Sequence, residues 1–162
     1  YILQLVELLK EIENSDRKVS FKIRTMQPGY ADQFEKSGIK VEVKPLVPVN
    51  EFIHLALDSD ILLLFRPDWS PNGFSSKFFE AISLRKPIVY IGPKGEVDQF
   101  IKSKKLGFSL NDHTVKEMAK LIIDNKTSGS IPDKTFSLTE YSFEYQTKKL
   151  LERWNVYYKN EN

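Results

Sequence analysis

From Ile2 to Ile12 the apolar positions Ile2, Leu5, Val6, Leu9 and Ile12 recur at steps of three and four, with Gln4, Glu7, Lys10 and Glu11 largely opposite. This period predicts an amphipathic helix over residues 1–13. Lys18 to Thr25 then alternates Val19, Phe21 and Ile23 with Lys18, Ser20, Lys22 and Arg24, which predicts a strand with one wetter face, ended by Gln27-Pro28-Gly29 as a turn. A short helix over 32–36 closes at Gly38, a residue suited to a left-handed cap, and Ile39 to Pro45 alternates as a second strand. Pro48 and Asn50 introduce a helix to about Leu57. Ile61-Leu62-Leu63-Leu64-Phe65 is continuous rather than alternating, so it is expected to be covered on both faces and to lie at the sheet centre.

The same rhythm runs on. After a loop rich in Pro, Gly, Ser and Asn, residues 75–84 read as helix and Pro87 to Ile91 as a buried strand. Residues 94–103 read as helix and Gly107 to Leu110 as a short strand. Thr114-x-x-Glu117 is a capping box opening a helix to about Asn125. A polar link over 126–134 leads to Ser137-x-x-Glu140, which predicts the start of a last helix over 137–158 with Tyr141, Tyr145, Leu150, Leu151, Trp154 and Tyr157 as its apolar stripe. Strands alternating with helices predict a single α/β domain, Rossmann-like, with a mainly parallel sheet flanked by helices. Ligands in such sheets bind beyond the carboxyl ends of the strands. The segments to search are therefore Met26 to Tyr30, Leu46 to Val49, Arg66 to Lys77 and Gly92 to Glu96.

Composition narrows the chemistry. A chain of 162 residues, 41% of them hydrophobic, suffices for one domain with a real core, and a formal charge of +2 is far from the concentrated basicity that nucleic-acid binding needs. With no cysteine and two distant histidines, His54 and His113, a thiolate or helical-histidine metal site is excluded, and no metal is expected. The longest apolar run falls far short of the roughly 20 residues of a membrane span.

Asp60 with its apolar strand, Gly73-Phe74-Ser75-Ser76-Lys77-Phe78-Phe79-Glu80-Ala81, Lys86-Pro87-Ile88-Val89, and Gly95-Glu96 through Gly107-Phe108 follow one another in an order that resembles the donor-binding, C-terminal half of GT-B fold, family 4-like retaining glycosyltransferases. The resemblance is clear over about residues 49–124. It implies a nucleotide diphosphate sugar as donor, no cofactor or metal, and an acceptor held by an N-terminal domain toward which the last helix packs back. It also implies a cytoplasmic enzyme that meets the inner face of a membrane only through that other half.

The residues fit this role physically. Gly73, Phe74, Ser75 and Ser76 feed a helix N-terminus, whose unpaired N–H groups and positive dipole end suit a diphosphate. Lys77 adds a point charge, and Glu80, one turn in, is expected to accept the ribose hydroxyls, as its counterpart does in the family. Taken singly, Ser75 or Ser76 is an N-cap, Lys77 a solvated side chain and Glu80 a member of a surface pair; only the combination points to a nucleotide. Many members carry another glutamate eight positions before this one, where this chain has Asn72. Asn72 can hydrogen-bond a sugar hydroxyl but cannot stabilise positive charge on the sugar. Gly29, Leu46, Val47 and Gly95 form a second rank, Leu46 and Val47 as walls for the base and Gly95 as part of a phosphate-cradling turn.

Asp58-Ser59-Asp60 spells an acid-x-acid metal motif but precedes its strand, away from the ligand edge. Two other readings share the architecture: a nucleotide-sugar epimerase and a non-catalytic α/β signalling module. The family's Arg and Lys phosphate ligands have no equivalent in the chain and are expected before Tyr1, along with a central strand. The isolated chain is therefore expected to be inactive, with a gap in its sheet open to a neighbour.

Overall fold

The structure, a computed structural model, describes residues 2–15, 18–25, 31–66, 73–128, 131–133 and 135–160. Helix α1 (Ile2–Glu13) leads into strand β1 (Phe21–Arg24), helix α2 (Ala31–Glu35), strand β2 (Val41–Lys44), helix α3 (Val49–Leu57) and strand β3 (Leu62–Phe65). Helix α4 (Ser76–Ser83), strand β4 (Ile88–Ile91), helix α5 (Glu96–Ser103), strand β5 (Gly107–Ser109) and helix α6 (Val115–Ser128) follow, and a 3-10 turn (Thr139–Tyr141) precedes the terminal helix α7 (Phe143–Asn160). This is a Rossmann-like α/β fold with parallel strands flanked by helices.

The strands are divided between two sheets. β1 and β2 pair in parallel, with Phe21 opposite Val41 and Arg24 opposite Lys44. β3, β4 and β5 form a parallel sheet in that order, with Leu62 opposite Ile88 and Ile88 opposite Gly107. The central strand is β4, whose four residues are all buried, and this corrects the expectation for β3. Leu62, Leu63 and Leu64 are half-buried, and among the described residues β3 has a strand on one side alone. A continuous apolar run reports that both faces are covered; it carries no information about the edge.

Two apolar layers enclose the larger sheet. Leu5, Val6, Leu8 and Leu9 of α1 and Met118, Ala119 and Ile122 of α6 are buried with Val89, Ile91 and Phe108 on one face. Phe78 and Ile82 of α4 and Val97 and Ile101 of α5 are buried with Ile88 and Tyr90 on the other. The alternation of β4 between the clusters follows from the period of a strand.

Local signals act as the sequence predicts in most places. Gly38 closes α2 at φ +81°. The Thr114 N–H donates to the Glu117 carboxylate at 2.8 Å, and the Glu117 N–H donates to the Thr114 hydroxyl at 3.3 Å, which completes the capping box. The terminal helix differs. The Ser137 hydroxyl accepts the Thr139 N–H at 3.2 Å within a turn, and α7 begins only after Ser142, whose hydroxyl accepts the Tyr145 N–H at 3.2 Å. Phe143, Leu150, Leu151 and Trp154 of that helix are exposed. No helix among the described residues is long and apolar enough to cross a membrane.

Candidate functional site

Ahead of α4, Gly73 sits at φ +83°, a conformation that glycine adopts without strain. Ser75 is the N-cap of α4 in an extended conformation, and its hydroxyl accepts the Phe78 N–H at 3.3 Å. The helix is fixed by Phe78 and Ile82, which are buried four residues apart on one face. Helical geometry then turns Ser76 and Glu80 to the opposite side. Ser76, Lys77 and Glu80 are all exposed.

The loop is tied to its neighbours by two bonds. The Arg66 guanidinium, immediately after β3, donates to the Gly73 carbonyl at 2.5 Å, and the Gly73 N–H donates to the Glu96 carboxylate at 3.0 Å. Glu96 is the first residue of α5, and Gly95 is its N-cap. The loop that opens α4 is thereby tied to the first turn of α5, beyond the carboxyl ends of β3 and β4. Gly92 closes the floor: a Cβ there would stand 2.7 Å from the Tyr90 hydroxyl and 2.9 Å from the Arg66 Cβ.

Phe74 has a packing partner on each side. Its ring lies 4.9 Å from that of Phe78 and 5.3 Å from that of Phe100, within an aromatic group that continues through Phe136 and Tyr141. It thereby anchors the loop, with part of the ring still exposed. Leu46 is exposed and Val47 half-buried in the segment that follows β2. Asn72 and Gly29 lie outside the described residues.

A polar network next to this region is absent from the sequence reading. Asp98 on α5 is 2% exposed, and its carboxylate accepts hydrogen bonds from the Ser109 hydroxyl at the end of β5 and from the Asn111 amide at 3.3 Å. Lys102 pairs with Asp98 at 2.8 Å and with Asp112 at 2.5 Å, while the Asn111 amide also donates to the Gly92 carbonyl at 2.9 Å. Burial alone pushes the Asp98 carboxyl up, but the hydrogen bonds from Lys102, Ser109 and Asn111 outweigh it and hold the group below its ordinary value. Hydrogen bonds to Asp112 and Asp98 hold the Lys102 ammonium above its own. Burial raises the Tyr90 phenol, whose hydroxyl donates to the Pro93 carbonyl at 2.9 Å. The Tyr90 and Asn111 bonds tie down the loop between β4 and α5, while Asp98, Lys102, Ser109 and Asp112 satisfy one another beside it. Of this network the sequence shows only Asp98 and Lys102, spaced as neighbours on one helix face. Arg66 and Glu96 were within segments singled out for search but carried no signal of their mutual bond through Gly73.

A shallow concavity elsewhere, along Phe143, Glu144, Thr147, Lys148, Leu151 and Glu152, is walled by α7 alone and encloses nothing. Compared with protein-family models, curated proteins and solved structures, the chain matches none of them.

Proposed function

We propose that this chain is the donor-nucleotide-binding domain of a retaining GT-B glycosyltransferase, which transfers a sugar from a nucleotide diphosphate sugar to a saccharide or lipid-linked acceptor. The observation that supports this reading is the run from Gly73 to Glu80 at the carboxyl edge of β3, where a Ser75-capped helix start stands beside exposed Lys77 and Glu80. The amides of the first turn of α4 and the Lys77 ammonium would hold the diphosphate, through the helix dipole and charge-assisted hydrogen bonds. The Glu80 carboxylate, being acceptor-only, would take both ribose hydroxyls.

Arg66 has two roles in this proposal. It orients Gly73 through the carbonyl it holds, and its charge adds to the positive field at the phosphates. The acceptor and the catalytic groups would come from another domain of the same enzyme, so this chain binds donor without turning it over. Calorimetric titration of the chain with UDP and GDP tests the reading: saturable binding of one of them that is lowered by Lys77→Ala is expected, and binding of neither would overturn it.

A further inference from the structure

Helix α7 leaves the domain from an anchored root. The Tyr141 ring lies 5.2 Å from that of Phe100 and 6.3 Å from that of Phe79, and the Gln146 side-chain amide donates to the Glu140 carbonyl at 2.5 Å. Beyond that root the helix is open to solvent. From Phe143 to Trp154 no residue is buried, and only Tyr145 and Thr147 are partly covered. Phe143 is 89% exposed, Leu150 62%, Leu151 57% and Trp154 59%, so the side chains that should seek cover are among the least covered.

Helical geometry gathers these side chains on one face. Phe143, Thr147, Leu150, Leu151 and Trp154 fall within an arc of about 100° around the helix. Lys148 stands about 60° past Leu151 on one side of this stripe, and Arg153 about 60° past Leu150 on the other. Glu152 lies on the opposite face, and Glu144 sits in the first turn, where a helix N-terminus favours a carboxylate. Lys149 is held over the Tyr145 ring, 4.8 Å from its centroid, also away from the stripe. The stripe therefore has a cation along each margin. The concavity beside it is walled by α7 itself and gives a partner helix no second wall to lie against. A second copy paired with it about a two-fold axis at the middle of the stripe would set Lys148 and Lys149 level with their own counterparts, and like charges repel. A lipid surface meets both demands at once. Its acyl boundary takes the apolar side chains, and the headgroups on either side take the cations, whose long stems reach outward to them. The 18 residues of α7 carry Lys148, Lys149, Arg153 and Lys159 against Glu144 and Glu152, an excess that favours anionic lipid.

We infer that α7 lies in the plane of an anionic lipid surface, with Phe143, Leu150, Leu151 and Trp154 at the acyl boundary and Lys148 and Arg153 among the headgroups. The helix rests on the surface and does not span it. The inference stands independently of the nucleotide reading, and it gives the chain a membrane contact of its own where the resemblance leaves that contact to another half of the enzyme. The test uses the whole chain carrying Trp69→Phe, which leaves Trp154 as the single tryptophan. It is mixed with sonicated vesicles of phosphatidylcholine alone or with roughly 30% phosphatidylserine. Flotation should recover the chain with the anionic vesicles, and Trp154 emission should shift to the blue on binding. Lys148→Gln with Arg153→Gln keeps the stripe and should weaken partitioning by about tenfold or more. Leu150→Ser with Leu151→Ser keeps the cations and should weaken it by about as much. All four side chains are exposed, so neither change touches the core. No flotation, binding indifferent to phosphatidylserine, unchanged emission, or unchanged partitioning in either double variant would overturn the inference. Self-association in the absence of vesicles that Leu150→Ser with Leu151→Ser abolishes would also overturn it, by assigning the stripe to a second copy.

Discussion

The Glu96 carboxylate accepts the backbone N–H of Gly73 at 3.0 Å, so the first residue of α5 holds the loop that opens α4. In the proposed donor site this puts a negative charge beside the region meant for a diphosphate. Glu96→Gln keeps an acceptor for the Gly73 N–H while removing the charge. It should tighten binding of the preferred nucleoside diphosphate by about three- to tenfold, roughly 1 kcal/mol. Calorimetry at low salt checks this; weaker binding by the variant would mean that the carboxylate supports the loop rather than competing with the ligand.

The N-cap separates folding from binding. Ser75→Ala removes the hydroxyl that accepts the Phe78 N–H and should cost about 1 kcal/mol in urea unfolding. Ser75→Asp restores an acceptor and suits the helix dipole, so its stability should return to that of the parent chain. Its carboxylate would occupy the anion position, and diphosphate affinity should fall by about tenfold or more. Unchanged affinity in the aspartate variant would place the phosphates elsewhere.

Asp98 sets an acid limit on stability. Its folded carboxyl titrates below the ordinary 3.8, so the unfolded chain takes up the proton first as pH falls. Its contribution is therefore complete above that ordinary value and is lost as pH drops through the lower folded one. Asp98→Asn should flatten the stability difference between about pH 6 and about pH 3 in urea titrations relative to the parent chain. Asp98→Ala leaves Ser109, Asn111 and Lys102 without their shared acceptor and should cost on the order of 2–3 kcal/mol near neutral pH. An Asp98→Asn variant with the parent's full pH dependence would assign that dependence to other groups.

Gly107 tests the packing of the β4 and β5 pair. A Cβ at this position would lie 1.9 Å from the Ile88 carbonyl oxygen and 2.6 Å from the Ile88 backbone nitrogen, and backbone atoms in a ladder cannot yield as a side chain does. Gly107→Ala should therefore destabilise the fold by about 3 kcal/mol or more, or yield insoluble chain. Near-parental stability in thermal unfolding would show that β5 has shifted its register.

The sequence was informative where the physics is local. The stripe on α1, the alternation around Phe21 and Ile23, the glycine at Gly38 and the Thr114 and Glu117 box each depend on residues a turn or less apart, and each element stands where its pattern predicts it. Ser137-x-x-Glu140 has the same spelling as a capping box, but Ser137 is engaged by Thr139, and Ser142 caps the helix instead. The run from Ile61 to Phe65 could not reveal that β3 is the end strand of the sheet β3-β4-β5, because a strand's edge is made of backbone, which every residue carries alike. Gly73, Ser75, Lys77 and Glu80 were legible as one candidate site because they share a single loop and helix. The Asp98 network and the Arg66, Gly73 and Glu96 chain were not, because each joins residues brought together by the sheet rather than by spacing.

Glu80 carries the central claim, that its carboxylate holds the ribose of a nucleotide. The most direct measurement compares UDP with its 2′,3′-dideoxyribose analogue, or GDP with its own if GDP is preferred, on the parent chain and on Glu80→Ala by calorimetry. A charged acceptor meeting the hydroxyls is worth about 1.5–3 kcal/mol. The parent should therefore bind the dideoxy analogue roughly ten- to a hundredfold more weakly than the normal nucleotide, while Glu80→Ala binds the two alike. The same discrimination in both proteins, or equal affinity of both for the normal nucleotide, would contradict it.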